Sequence, residues 1–276
     1  MASLSVTQAW NETAEFVKRE SGLLFPLAFM LIALPLALME VFTPVPAAPG
    51  EMPPAGLWLL LFPIAMVASL IGNVAISHLA LRPGVSVGEA IGRGARSFPS
   101  LLGAFLLLMI AAAIAFFVVT MIMVMIVPGA IADAQSGAVT GAIATATLLT
   151  LLAMLPLMLF FWARLMLMTP VAAAEQAGPI ALIARSWALT RGHALKLVGF
   201  MLLVLILVMV VSLAVQAVAG LLFALVAGPP EPGSTSRLLV TLVMAGVNTV
   251  ITACLTSFIA RIYARLAGGG EERVFV

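Results

Sequence analysis

The sequence predicts an all-α, polytopic membrane protein with six transmembrane helices. Three observations predict it. Of the 276 residues, 63% are hydrophobic and 9% are charged, against about 25% charged in an ordinary soluble domain. The mean hydropathy is +1.23, more apolar surface than a soluble chain of this length can bury. The apolar residues also fall into six runs, each long enough to cross a bilayer core of about 30 Å as a helix.

The runs cover 22–42, 57–81, 101–127, 141–167, 197–226 and 238–264. Backbone groups cannot stay unpaired in lipid, so each run is expected to be a helix. The alternating pattern of a barrel strand is absent. The third and fifth runs are long enough to tilt or to project beyond the core. Pro35, Pro63 and Pro156 are expected to kink their helices.

Charge placement sets direction. Lys18 and Arg19 precede the first span, and Arg82, Arg93 and Arg96 follow the second. Arg164, Arg185, Arg191 and Lys196 surround the fourth-to-fifth connection, and Arg261, Arg265 and Arg273 close the chain. Twelve of the 13 basic residues thus fall on one side, with Arg237 alone on the other. The positive-inside rule makes that side, with both termini, cytoplasmic. An odd number of spans would separate the two basic ends.

Three amphipathic segments precede the odd-numbered spans. Ala9, Trp10, Thr13 and Val17 share a face in the first, with Ala90, Ile91, Gly94 and Phe98 at the same spacing in the second. Ile180, Ile183, Ala184 and Trp187 form the third stripe, and Gly192 is expected to end that helix. Basic amphipathic helices beside spans lie in the membrane interface, so three cytoplasmic-side interfacial helices are expected. The even spans also end alike, with His78, Arg164 and Arg261 near the cytoplasmic boundary. Together these features describe a threefold internal repeat with units 1–82, 83–170 and 171–266. The whole chain, 1–276, reads as a single integral membrane domain with a cytoplasmic tail at 267–276.

The inventory of reactive groups is thin. Asp133 is the only aspartate, which excludes a paired-aspartate intramembrane protease. The two histidines, His78 and His193, form no HExxH zinc motif, and no GxxxxGK[ST] phosphate loop occurs. The single cysteine, Cys254, can form no intramolecular disulfide. The expectation is a non-enzyme without cofactor or metal, and not a nucleic-acid binder. Gly92 and Gly94 read as positions where the second amphipathic segment packs closely.

The stretch 164–199 carries an Arg at a span end, then a Pro, a Glu and a Ser-Trp-x-Leu-Thr-x-Gly helix, at Arg164, Pro170, Glu175, Ser186, Trp187, Leu189, Thr190 and Gly192. This pattern resembles the six-span bacterial family that includes the YciC-like proteins and the glycerophosphoryl diester phosphodiesterase membrane domain. The resemblance implies a multi-pass protein of the bacterial inner membrane. It does not carry the phosphodiesterase activity, which belongs to a separate catalytic barrel of about 250 residues for which there is no room outside the spans.

Two functional readings follow. The favoured one is a non-catalytic membrane protein that binds anionic lipid or serves as a scaffold. Arg164, Arg261, Arg185 and His78 are its candidate headgroup contacts. Glu175 would orient Arg164 or Arg185, and Trp187 would anchor the third interfacial helix. Its partners would be membrane lipids, anionic phospholipid among them, with a membrane-protein partner or a second copy of the chain as further candidates. The alternative is a small-solute or lipid transporter or channel whose route is lined by Asn73, Gln216 and Asn248 in spans 2, 5 and 6. The bland reading of those three amides is interhelical hydrogen bonding, at roughly 0.6 kcal/mol per bond.

Overall fold

The computed structural model describes residues 6–44, 51–136, 141–231 and 233–271. All regular structure among them is helical. In chain order the helices are α1 (Val6–Ala28), a π turn (Phe29–Ala33), α2 (Leu34–Phe42), α3 (Trp58–Leu81), α4 (Val87–Ile126), α5 (Ala130–Ser136), α6 (Gly141–Leu165), α7 (Met168–Ala174), α8 (Pro179–Leu189), α9 (Ala194–Ala227) and α10 (Thr235–Glu271).

Six of these stretches are long and apolar enough to cross a membrane: Gln8–Phe42, Trp58–Leu81, Val87–Ile126, Gly141–Ala174, Ala194–Ala227 and Thr235–Gly268. They match the six runs of the sequence. Arg265 near the end of α10 donates to Glu12 of α1 at 2.6 Å and to Gln8 at 3.0 Å. The first and last spans therefore begin and end on one face, as an even number requires.

The first two amphipathic segments are not separate elements. The first runs through α1 and the π turn into α2, and the second is the opening of α4. At 1.5 Å per residue, the 40 residues of α4 extend about 60 Å, twice the bilayer core. Neither junction holds a residue that must break a helix. Pro35 sits just after the π turn, whose wider bonding absorbs the missing N–H. The third segment is a helix of its own, α8. Its C-cap is Thr190, and Gly192 adopts φ +85°, a left-handed conformation that suits glycine and ends the helix where the sequence placed its end. The tail expected at 267–276 is helical as far as Glu271; residues 272–276, with Arg273, lie outside the described residues.

The tightly packed core lies at the basic end. The buried residues of α4 (Ala90, Gly94, Ser97, Leu101, Ala104) all belong to its first half, and most of those of α3 lie between Gly72 and Ala80. One cluster packs Phe16, Leu24 and Ala28 of α1 on Ile76 and Ala80 of α3 and Ala260 of α10. A second surrounds α7 with Leu101, Leu182, Leu197, Phe258 and Ile262. Towards the other end, α4, α6 and α9 present Ile110, Phe117, Leu151, Leu155, Leu207 and Leu213 outward. In water that surface would be a liability; in lipid it is the solvated face.

Small residues set the spacing of the core. A Cβ on Gly94 would stand 2.6 Å from the carbonyl oxygen of Ile71, and one on Gly72 would stand 2.8 Å from Ile32. Gly94 is thus the close-approach position expected of it. Gly92 has open space where its Cβ would be, so the expected role falls to Gly94 alone.

Candidate functional site

The chemistry-bearing residues of the basic end gather around α7. Pro170 explains why this helix is separate from α6. It lacks an N–H and its ring collides with the carbonyl four residues back, at Met166, so the chain turns at 166–167 before resuming. The resulting single piece, Met168–Ala174, is almost wholly buried, packed against α3, α4, α8 and α10.

A buried helix end exposes carbonyl oxygens that need donors. Two neighbouring helices supply them. Ser97 of α4 donates its hydroxyl to Ala172 at 3.0 Å, and Arg93, one turn earlier, donates Nε–H to Ala173 at 3.0 Å. His78 of α3 places Nδ1 at 3.1 Å from the same Ala173 oxygen. A carbonyl only accepts, so His78 carries its proton on Nδ1 in this contact. The cation of Arg93 also faces the negative end of the α7 dipole.

The next residue closes the other side. Glu175 caps α7, and its Oε1 accepts from Arg185 Nε of α8 at 3.1 Å and from the Tyr263 hydroxyl of α10 at 3.0 Å. Of the two cations that Glu175 was expected to orient, it engages Arg185.

Arg164, at the end of α6, is held differently. Its guanidinium lies 4.9 Å from the Trp187 ring centre and 5.3 Å from that of Phe160, and Nη1 donates to the Trp187 carbonyl at 3.3 Å. In return the Arg164 carbonyl accepts from Ser186 at 2.7 Å and from Thr190 at 3.4 Å. The Ser-Trp-x-Leu-Thr pattern is thereby a clasp that fixes α8 on the end of α6. Trp187 also packs edge-on against Phe160, at 5.9 Å. Arg261 of α10 lies 5.2 Å from the Phe16 ring centre of α1.

His78, Arg164 and Arg261 therefore occupy three different joints, on α7, α8 and α1, and among the described residues none is a partner of another. Of the amides expected along a route, Asn73 accepts from Thr256 of α10 at 2.9 Å and donates to the Ser69 carbonyl at 2.8 Å. Gln216 and Asn248 are exposed on the surfaces of α9 and α10. Ser97 and Tyr263 were missed by sequence reasoning, and Arg93 entered only through the charge placement that sets direction. The signal that points to the first and third is the spacing of Arg93 and Ser97, four residues apart on one helical face.

The family described as a domain of unknown function (DUF7847) matches residues 4–266. The chain belongs to this family. No curated protein and no solved structure matches it. Among the described residues, no group of three or more His, Cys, Asp or Glu is placed to hold a metal ion. The DUF7847 match spans all six membrane helices and the whole of the α7 knot.

Proposed function

We propose that this protein is a non-catalytic integral membrane protein that binds anionic phospholipid at its basic face, with both termini on the cytoplasmic side of a bacterial inner membrane. The observation that carries the reading is the one-sided placement of its cations. Lys18, Arg82, Arg96, Arg191 and Lys196 are exposed at the same end of the bundle as the α7 knot. Basic groups at the cytoplasmic ends of spans attract anionic headgroups by about 1 kcal/mol each. The knot supports the reading indirectly. It commits Arg164, Arg185 and His78 to contacts within the chain, so it holds the end of the bundle together beneath that charge.

The proposed kinship with the YciC-like and phosphodiesterase membrane-domain families rests on the residues of the 164–192 pattern. These are the residues that join α6, α7 and α8.

The reading is tested by native mass spectrometry of the protein released from mild detergent, with co-released lipids identified. Enrichment of anionic over zwitterionic phospholipid on the protein, relative to the source membrane, is the expected result. A lipid profile equal to that of the membrane would overturn it.

A further inference from the structure

Among the described residues, three arginines where α3 meets α4 have no carboxylate partner. Arg185 has Glu175 and Arg265 has Glu12 as salt-bridge partners. Arg82, Arg93 and Arg96 have none among the described residues. Arg93 shares the Ala173 oxygen with His78, which lies one turn before Arg82 on α3, and Arg96 lies one turn beyond Arg93 on α4. Glu89, the nearest carboxylate in sequence, is exposed in the first turn of α4 and pairs with none of them. Gathering like charges costs free energy unless an anion offsets it.

The geometry of Arg93 adds an independent observation. Its Nε is pinned on the Ala173 carbonyl, while its Nη2 is buried without any hydrogen-bond partner. A buried charged donor left unpaired is costly, more so than a neutral one. Arg82, the C-cap of α3, and Arg96, one turn beyond Arg93, are both exposed. A guanidinium held at Nε and flanked by two exposed ones presents forked donors that match the oxygens of a phosphate group.

We propose that Arg82, Arg93 and Arg96 form a site for a phosphate group, presented by an anionic phospholipid headgroup at the turn between α3 and α4. The site rests on the reading of anionic-lipid binding given above and locates it. It differs from the residues the sequence singled out. Arg164 and Arg261 stack on Trp187 and Phe16, and Arg185 pairs with Glu175; of the trio only Arg93 is tied within the chain, through Nε.

The test is a titration of phosphatidylglycerol onto the full-length, delipidated protein in detergent, read by native mass spectrometry. It compares wild type, R82Q/R96Q, and K18Q/R191Q, which removes two exposed cations from the same face. Both pairs of side chains are exposed, and a melting curve checks that each variant folds. The site predicts a loss of apparent affinity of about tenfold in R82Q/R96Q and less than about twofold in K18Q/R191Q. Equal affinity in wild type and R82Q/R96Q overturns the site and leaves the wider reading standing. Equal losses in both variants also overturn it, since that is the behaviour of a diffuse basic belt. A wild type that binds no phosphatidylglycerol overturns the reading and the site together. Inorganic phosphate supplies the second arm. Stabilisation of wild type but not of R82Q/R96Q by phosphate alone would name a soluble phosphate as the source; stabilisation by the lipid alone names the headgroup. Either outcome supports the trio.

Discussion

Arg93 donates its Nε–H to the carbonyl oxygen of Ala173 across 3.0 Å, which ties the opening of α4 to the last turn of a buried seven-residue helix. The same oxygen lies 3.1 Å from Nδ1 of His78, and its neighbour, on Ala172, accepts from Ser97. Two spans are thus fastened to a third through main-chain oxygens that α7 cannot satisfy by itself.

Removing the Ser97 donor tests that fastening. Ser97→Ala takes a buried hydroxyl from the Ala172 carbonyl and is expected to lower stability by about 1–3 kcal/mol. A lower melting temperature in detergent is the expected readout. An unchanged value would mean that the α7 end does not depend on this donor.

Glu175 offers a contrast between two partners of one oxygen. The Arg185 side chain is 48% exposed and the Glu175 side chain 34%, so the ion pair is screened and contributes about 0–1 kcal/mol. Tyr263 is buried at 7% exposure, and its hydroxyl bond contributes about 1 kcal/mol or more. Tyr263→Phe is therefore expected to lower the melting temperature more than Arg185→Gln does. The reverse order would contradict the burial argument.

The α3–α4 crossing predicts an asymmetry between two glycines two residues apart, which face opposite sides of α4. Gly94→Ala forces a methyl against the Ile71 carbonyl, at 2.6 Å before any relaxation, and overpacking of this kind costs about 1–3 kcal/mol. Gly92→Ala meets nothing within 4 Å and gains helix propensity of up to about 1 kcal/mol. Melting curves of the two variants are expected to move in opposite directions.

Asn73 is expected to behave as a packing residue. Asn73→Ala breaks its bond with Thr256, for a cost near 0.6 kcal/mol and at most about 1.7 kcal/mol. Thr256→Val should cost a similar amount, and the double variant little more than either alone. Additive losses in this cycle would show that the two residues are not coupled.

The spans were legible in the sequence because lipid imposes a length and a composition that few other constraints can mimic. The expected run 57–81 is α3 to within one residue, and 141–167 ends at the break between α6 and α7. The interfacial helices were legible as helices but not as separate ones. Periodicity locates a helical face, yet it does not say whether the axis turns. Val17 and Gly22 are joined by good helix formers, and Pro99 sits where α4 simply continues; only Gly192, with its left-handed backbone, enforces a break. Within the site, Arg164, Glu175, Ser186, Trp187 and Thr190 were legible because they lie on consecutive elements. Ser97 and Tyr263 were not, since they meet α7 from 75 and 88 residues away from their partners. No local spacing encodes such pairings.

The account centres on anionic phospholipid binding at the basic face. The most direct measurement is the melting temperature of the full-length protein in phosphatidylcholine nanodiscs with and without phosphatidylglycerol, at low and high salt. A ligand that binds only the folded state raises that temperature, and an electrostatic one loses its effect as salt screens it. The account predicts a higher melting temperature with phosphatidylglycerol that falls back at high salt. The same melting temperature in both lipids at low salt would contradict it.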